Sequence, residues 1–258
     1  MKTDDWVMRL TDASIGFRSR HGAPKVLASS MSACVERGRL TCLVGRNGKG
    51  KSTLLRALAG FDDLQEGSLE VRCTHEGEER AFSSLSNVER SKLVAVVLTN
   101  NSQAHGLTVE ELVGLGRSPY TNFWGTQTET DRQVVDKSME LTGVSHLRKY
   151  RIETLSDGER QKTMIAKALA QQTPVILLDE PTAFLDYPSK VETLQLLARL
   201  AHEEGKAVLF SSHDLELALQ QADVLWLLKE GRLHIKTPSP KFQSSVGEVA
   251  DFYSLLDE

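Results

Sequence analysis

Nine residues, GRNGKGKST at positions 45 to 53, constrain this chain more than any other stretch. They set three glycines and two lysines between an apolar run ending at Val44 and a helix-like segment from Leu54 to Ala59. Glycine inside regular structure is destabilising, yet it lets a backbone take positive φ and approach a ligand closely. A turn that follows a strand and opens a helix leaves N–H groups unpaired and facing outward, and the helix dipole adds partial positive charge there. Such a turn is an anion site, and it requires a strand before it and a helix after it.

The spacing Gly45-x4-Gly50-Lys51-Ser52 fits the phosphate-binding P-loop. In that arrangement the main chain from Gly45 through Arg46, Asn47, Gly48, Lys49 and Gly50 to Thr53 cradles phosphates, Lys51 reaches the β/γ oxygens and Ser52 holds Mg²⁺. The plain alternative is a glycine turn with a solvated lysine. The pattern indicates a nucleotide without saying what is done with it.

A chain of 258 residues, 40% hydrophobic and 26% charged, can bury one large core, or a core with a subdomain inserted in it. A formal net charge of −4 argues against a general nucleic-acid or anionic-membrane binder. The opening MKTDDWVMRLTD is acidic and carries no long apolar segment, so no signal peptide is expected. Runs such as Val175 to Leu178 and Val224 to Leu228 fall far short of the roughly 20 residues that span a bilayer, and they read as buried strands. Cys34, Cys42 and Cys73 are odd in number and lack CxxC spacing, which suits small buried side chains in a reducing compartment.

Val7–Leu10, Leu40–Val44 and Ser68–Val71 predict strands around the strand, turn and helix unit. From Asn87 the character changes. Thr108 and Glu111 form a capping box ahead of Val109, Leu112 and Val113; a second helix is predicted over Thr128 to Thr142, ended by Gly143. A third opens at the capping box Ser156-Asp-Gly-Glu159 and continues through Met164, Ile165, Ala168 and Leu169. After Pro174 strands and helices alternate: Val175 to Leu178, Pro188 to Glu203, Ala207 to Phe210, Leu215 to Gln221, Val224 to Leu228. That alternation predicts an α/β fold with a mostly parallel sheet covered on both faces. Residues 1–258 therefore read as a single domain: a nucleotide-binding core of 1–86 and 171–258, with an N-terminal antiparallel β region, and an inserted α-helical subdomain of 87–170.

Ligands in open α/β sheets sit at the carboxyl ends of strands, so Asp179 and Glu180, ending the run from Val175, should emerge beside the phosphate turn. Asp179 could hold Mg²⁺ there and Glu180 polarise an attacking water. Ser211-Ser-His-Asp214 ends another apolar run at the same edge, where His213 could bind a γ-phosphate oxygen or simply stand exposed on a helix capped by Ser212. In Leu155-Ser-Asp-Gly-Glu-Arg-Gln161 the capping box accounts for Ser156 and Glu159 but not for Gly158, which helix propensity disfavours. A glycine in the first turn leaves N–H groups open to a second anion.

LSDGERQ, VILLDEP, PTAFLD and SSHD follow the phosphate turn in that order, and over nearly its whole length the chain resembles an ATP-binding-cassette (ABC) ATPase. The resemblance implies a P-loop NTPase core, ATP and Mg²⁺ as cofactors, and two copies arranged head to tail with two ATP molecules between them. It implies that Ser156, Asp157, Gly158 and Glu159 form the signature motif, with Ser156 and Gly158 contacting the γ-phosphate held by the opposite subunit. It makes Glu180 the catalytic base, His213 the γ-phosphate sensor, Asp186 part of the loop crossing between subunits, and Phe17 the aromatic that stacks on adenine. A phenylalanine near a strand reads equally as core.

The stretch Leu107-Thr-Val-Glu-Glu-Leu-Val-Gly-Leu-Gly-Arg-Ser-Pro-Tyr120 is similar to one found in ATPases of iron-siderophore, haem and cobalamin importers. That likeness implies a homodimer at the inner, cytoplasmic face of the cell membrane, docked on transmembrane permease subunits, with a substrate-binding protein as indirect partner and no nucleic acid. A soluble cassette ATPase usually carries a long coiled coil or two cassettes, and a small-molecule P-loop kinase should lack the Leu155–Gln161 and Asp186 features. Two departures from the family pattern stand out. Thr99 occupies the place of an expected glutamine after Leu93–Leu98; Asn100 is expected to take over part of its role, or Asn100 and Asn101 make only turn hydrogen bonds, and Gln103 fills the place if the alignment is shifted. Asp157 stands where glycine is common, so it is expected to face Lys49 or Arg46 of the other copy. Tyr120 and Trp124 could contact the permease or pack inside the insert.

Overall fold

The computed structural model describes residues 5–17, 25–72, 78–98, 106–122 and 125–237. The expectations on Thr99, Asn100 and Gln103, on Trp124 and on Cys73 fall outside these residues. In chain order the first half comprises β1 (Trp6–Phe17), β2 (Lys25–Glu36), β3 (Leu40–Val44), α1 (Lys51–Leu58), β4 (Glu66–Arg72), β5 (Glu79–Ala81), α2 (Asn87–Leu93), β6 (Val94–Val97) and α3 (Val109–Gly114). The second half comprises α4 (Glu129–Leu141), α5 (Asp157–Ala170), β7 (Val175–Leu178), α6 (Tyr187–His202), β8 (Ala207–Ser212), α7 (Leu215–Gln221), β9 (Val224–Lys229) and β10 (Arg232–Lys236).

The large sheet has the order β10-β9-β3-β8-β7-β6, parallel from β9 to β6 with β10 antiparallel at one edge. Side chains alternate across a strand, and here both faces are buried, which is why these strands read as unbroken apolar runs. Cys42, Val44, Ile176, Leu178, Val208, Phe210, Leu225 and Leu227 belong to the core shared with helices α3 to α7. Leu43, Val175, Leu177, Leu209, Trp226 and Leu228 belong to a second core, shared with α1 and the antiparallel sheet β2-β1-β4-β5. One sheet therefore carries two cores, and β3 lies between β8 and β9 with its carboxyl end opening the phosphate turn.

The predicted limits of α4, α5 and α6 hold to within a residue or two because each start is set by a side-chain cap, and Gly143 follows α4 at φ 75°; α1, which has no side-chain cap, begins at Lys51, three residues before the expected Leu54. The antiparallel region is longer than expected. β1 and β2 run twelve residues each, where periodicity picks out only Val7–Leu10. Register shifts along the β1–β2 pair, with Asp12 and Ser30 at φ 46° and 52°, break the two-residue alternation that marks a strand in sequence. Residues 87–170 supply α2 to α5 but also β6, which joins the large sheet beside β7.

Candidate functional site

The phosphate turn takes the geometry its glycines permit. Gly48 and Gly50 lie at φ 76° and 107°, a region closed to most side chains. Gly45 packs so tightly that a Cβ there would sit 2.7 Å from the Leu228 carbonyl. Arg46, Asn47, Gly48 and Lys49 are exposed, while Lys51 is buried and donates its ammonium to the Gly45 carbonyl at 2.8 Å. Burial lowers the Lys51 pKa, opposed by the attraction of the Glu180 and Asp179 carboxylates. Ser52 is exposed and Thr53 buried in the first turn of α1.

Helices α2 to α6 are capped by the side-chain oxygens of Ser86, Thr108, Thr128, Ser156 and Asp186 respectively, each accepting a backbone N–H of the first turn. α1 does not: its N-cap is Gly50, with no side-chain cap and no acidic residue in the first turn. Its outward N–H groups and dipole are left for an anion from outside the chain.

At the neighbouring strand ends the acidic pair is held by a third side chain. Ser211, fully buried at the end of β8, donates its hydroxyl to Asp179 Oδ1 at 2.7 Å and accepts the Glu180 N–H at 2.8 Å. Asp179 also donates its own N–H to the Val97 carbonyl. Glu180 sits at φ 47°, and its carboxylate lies 3.5 Å from Nδ1 of His213, whose ring is half-exposed. The strand ends thus bring Lys51, Asp179, Glu180 and His213 together as expected. The signal for Ser211 lies in the β7–β8 register and not in the sequence: Leu178 pairs with Phe210, and the next residue on each strand is Asp179 and Ser211.

A second group assembles where α5 and α6 begin. Ser156 donates its N–H and hydroxyl to Glu159 at 2.9 and 2.7 Å, and these bonds hold the Glu159 carboxyl below its usual pKa. Asp157 pairs with Arg160 at 2.8 Å, a partner in its own chain. Gly158 has a packing reason as well as any ligand-binding one: a Cβ there would lie 3.1 Å from Ser189 Oγ. Ser189 in turn donates its N–H to Asp186 at 3.0 Å, capping α6, so Ser156, Gly158 and Asp186 share one surface.

Phe17 stands exposed at the end of β1, outside either core. Tyr120 is exposed at 38%, while its hydroxyl donates to the Gln171 carbonyl at 3.0 Å and the Arg117 guanidinium stacks on its ring. No helix among the described residues is long and apolar enough to cross a membrane.

The ABC transporter family pattern matches residues 28–183. The chain is 39% identical to a cobalamin import ATP-binding protein of Halobacterium salinarum, over 81% of this chain and 50% of that one. It is 35% identical to an iron(3+)-hydroxamate import ATP-binding protein of Bacillus subtilis, over 80% of this chain and 75% of that one. Among solved structures, a metal-chelate type ABC transporter in an inward-facing conformation superposes with a TM-score of 0.77 at 25% identity, covering 90% of this chain and 84% of the other.

Proposed function

The chain belongs to the ATP-binding-cassette (ABC) transporter family, and on that premise we propose that it is the ATP-hydrolysing subunit of an importer for a metal chelate of the iron-siderophore, haem or cobalamin type. The observation that carries the catalytic part is the uncapped start of α1 above Lys51, facing Asp179 and Glu180. The cargo class is supported by the relatives, whose names describe import of cobalamin and of iron(3+)-hydroxamate.

In this reading the N–H groups from Arg46 to Gly50 bind the phosphates of ATP, and the buried Lys51 ammonium neutralises their charge. Ser52 and Asp179 offer hydroxyl and carboxylate oxygens, the hard donors that suit Mg²⁺. Mg²⁺, when bound, supplies charge neutralisation on the phosphates. Glu180 takes a proton from the attacking water, and His213, 3.5 Å away, holds a γ-phosphate oxygen. Phe17 stacks on adenine.

Two copies close head to tail, so that Ser156, Gly158 and Asp186 of one cover the nucleotide held by the other. Each ATP then touches both chains, and its greater affinity for the closed pair drives the change. The pair sits on permease subunits at the cytoplasmic face of the membrane, and a substrate-binding protein takes part through the permease.

Glu180→Gln tests the chemistry: the variant should bind ATP normally, lose about 100-fold or more in turnover, and accumulate as an ATP-bound pair. Single-turnover hydrolysis and oligomer mass with ATP are the measurements, and hydrolysis near the parent rate would remove Glu180 from the base role. Co-purification of a membrane permease tests the transport part against a soluble cassette ATPase.

A further inference from the structure

Helix α5 starts at the Ser156–Glu159 group and ends, 14 residues later, in a clamp built from the stretch that precedes α4. Arg117 is its centre and is buried. Its Nε donates to Asp131 Oδ1 at 2.9 Å, and one terminal nitrogen donates to the Ala170 carbonyl at 2.7 Å and to Gln172 Oε1 at 2.8 Å. Asp131 is itself fixed, accepting the N–H and hydroxyl of Thr128 at the start of α4, and its pKa is held down to about 2.

The other contacts close around the same point. Tyr120 donates its hydroxyl to the Gln171 carbonyl. Gln171 donates to the carbonyls of Ser91 and Val94, tying the end of α5 to α2 and β6. Gly116 lies against the helix so closely that an added Cβ would overlap the Lys167 carbonyl. Carbonyls at a helix C-terminus have no partner within the helix, and those of Ala170 and Gln171 are here taken by Arg117 and Tyr120.

A buried ion pair adds little net stability, since desolvation offsets its attraction, but it specifies one arrangement. What it arranges here is a rod. At 1.5 Å per residue α5 is about 20 Å long, so a tilt of about 5° at its foot moves its tip by about 2 Å. That exceeds the tolerance of a hydrogen bond, and a misplacement of about 1 Å can cost about 100-fold in rate.

We propose that Arg117 is a positioning residue for ATP-driven closure, fixing with Tyr120 and Asp131 the foot of α5 so that Ser156 and Gly158 at its tip meet the nucleotide of a second copy. This rests on the proposed head-to-tail pair. Arg117 itself is buried at the opposite end of α5 from Ser156.

The test uses the full chain carrying Arg117→Met, Arg117→Lys or Tyr120→Phe, each alone and combined with Glu180→Gln. A fluorescent ATP analogue at low protein concentration reads nucleotide binding by one copy, sedimentation reads the ATP-driven pair, and steady-state hydrolysis gives kcat and KM. Binding by one copy should stay within about twofold, because the phosphate turn lies on β3 and α1. Pairing should weaken about tenfold or more in Arg117→Met, which loses every guanidinium bond, and severalfold in Tyr120→Phe, which loses one. kcat should fall with them while KM changes little. Arg117→Lys should recover only part of the loss, keeping the charge but not the planar fork.

Variants that pair and turn over like the parent would overturn the proposal. So would a parallel loss of single-copy binding and pairing, which marks general destabilisation. If Arg117→Met does not fold, Tyr120→Phe leaves the buried ion pair intact and carries the test. Failure of Glu180→Gln itself to pair with ATP would remove the head-to-tail reading, and this proposal with it.

Discussion

Ser211 illustrates how one hydroxyl can hold two carboxylate-bearing residues in place. It spends its proton on Asp179 and a lone pair on the Glu180 N–H, inside a fully buried strand end. Ser211→Ala should therefore leave a partly buried N–H unpaired, at about 1–3 kcal/mol of stability. Hydrolysis should fall about tenfold or more because Asp179 and Glu180 lose their common tether, while ATP affinity should change little. Urea unfolding and steady-state hydrolysis check the two parts, and an unchanged kcat would show that the tether is structural only. Asp179, Glu180 and His213 were legible in sequence because each closes an apolar run and belongs to an ordered set of motifs. Ser211 was not, since a serine at a strand end reads as turn or cap until the β7–β8 register places it beside Asp179.

At the scale of an element, the first turn of α5 shows how a local pair changes what a surface can do. The sequence alone suggests that Asp157 should seek Lys49 or Arg46 of a second copy, because a carboxylate near a triphosphate is unfavourable. Arg160, three residues on, already holds that carboxylate at 2.8 Å, with Asp157 largely exposed to water. A double-mutant cycle between Asp157 and Lys49 on ATP-driven pairing should accordingly give a coupling below about 0.5 kcal/mol, and a larger value should emerge once Arg160→Ala removes the local partner. A coupling above about 1 kcal/mol with Arg160 intact would restore the cross-chain pairing. Helices such as α4 and α5 were legible almost to the residue because their ends are written in capping boxes. β1 and β2 were not, because their bulges break the alternation that reveals a strand, and the side chains facing one another across them are decided only by pairing.

For the whole molecule, two cores on one sheet mean that the phosphate turn and the acidic pair rest on strands packed on both faces, while α3, α4 and α5 hang on one side only. ATP bound to a single copy engages the strand-supported part alone, and its stabilisation follows RT ln(1 + [L]/Kd), about 2.7 kcal/mol at 100 times Kd, independent of protein concentration. ATP shared between two copies also engages the tip of α5 from the partner, and the stabilisation then includes an association term that grows with protein concentration. In Glu180→Gln with saturating ATP the thermal midpoint should therefore climb as the protein is concentrated over two orders of magnitude. The nucleotide-free chain should show a flat midpoint over the same range. The Arg117→Met and Glu180→Gln double variant should keep the concentration-independent rise and lose most of the climb, because its nucleotide site is intact while the foot of α5 is loose. A midpoint in ATP that ignores protein concentration would mean that one copy captures the whole effect of the nucleotide.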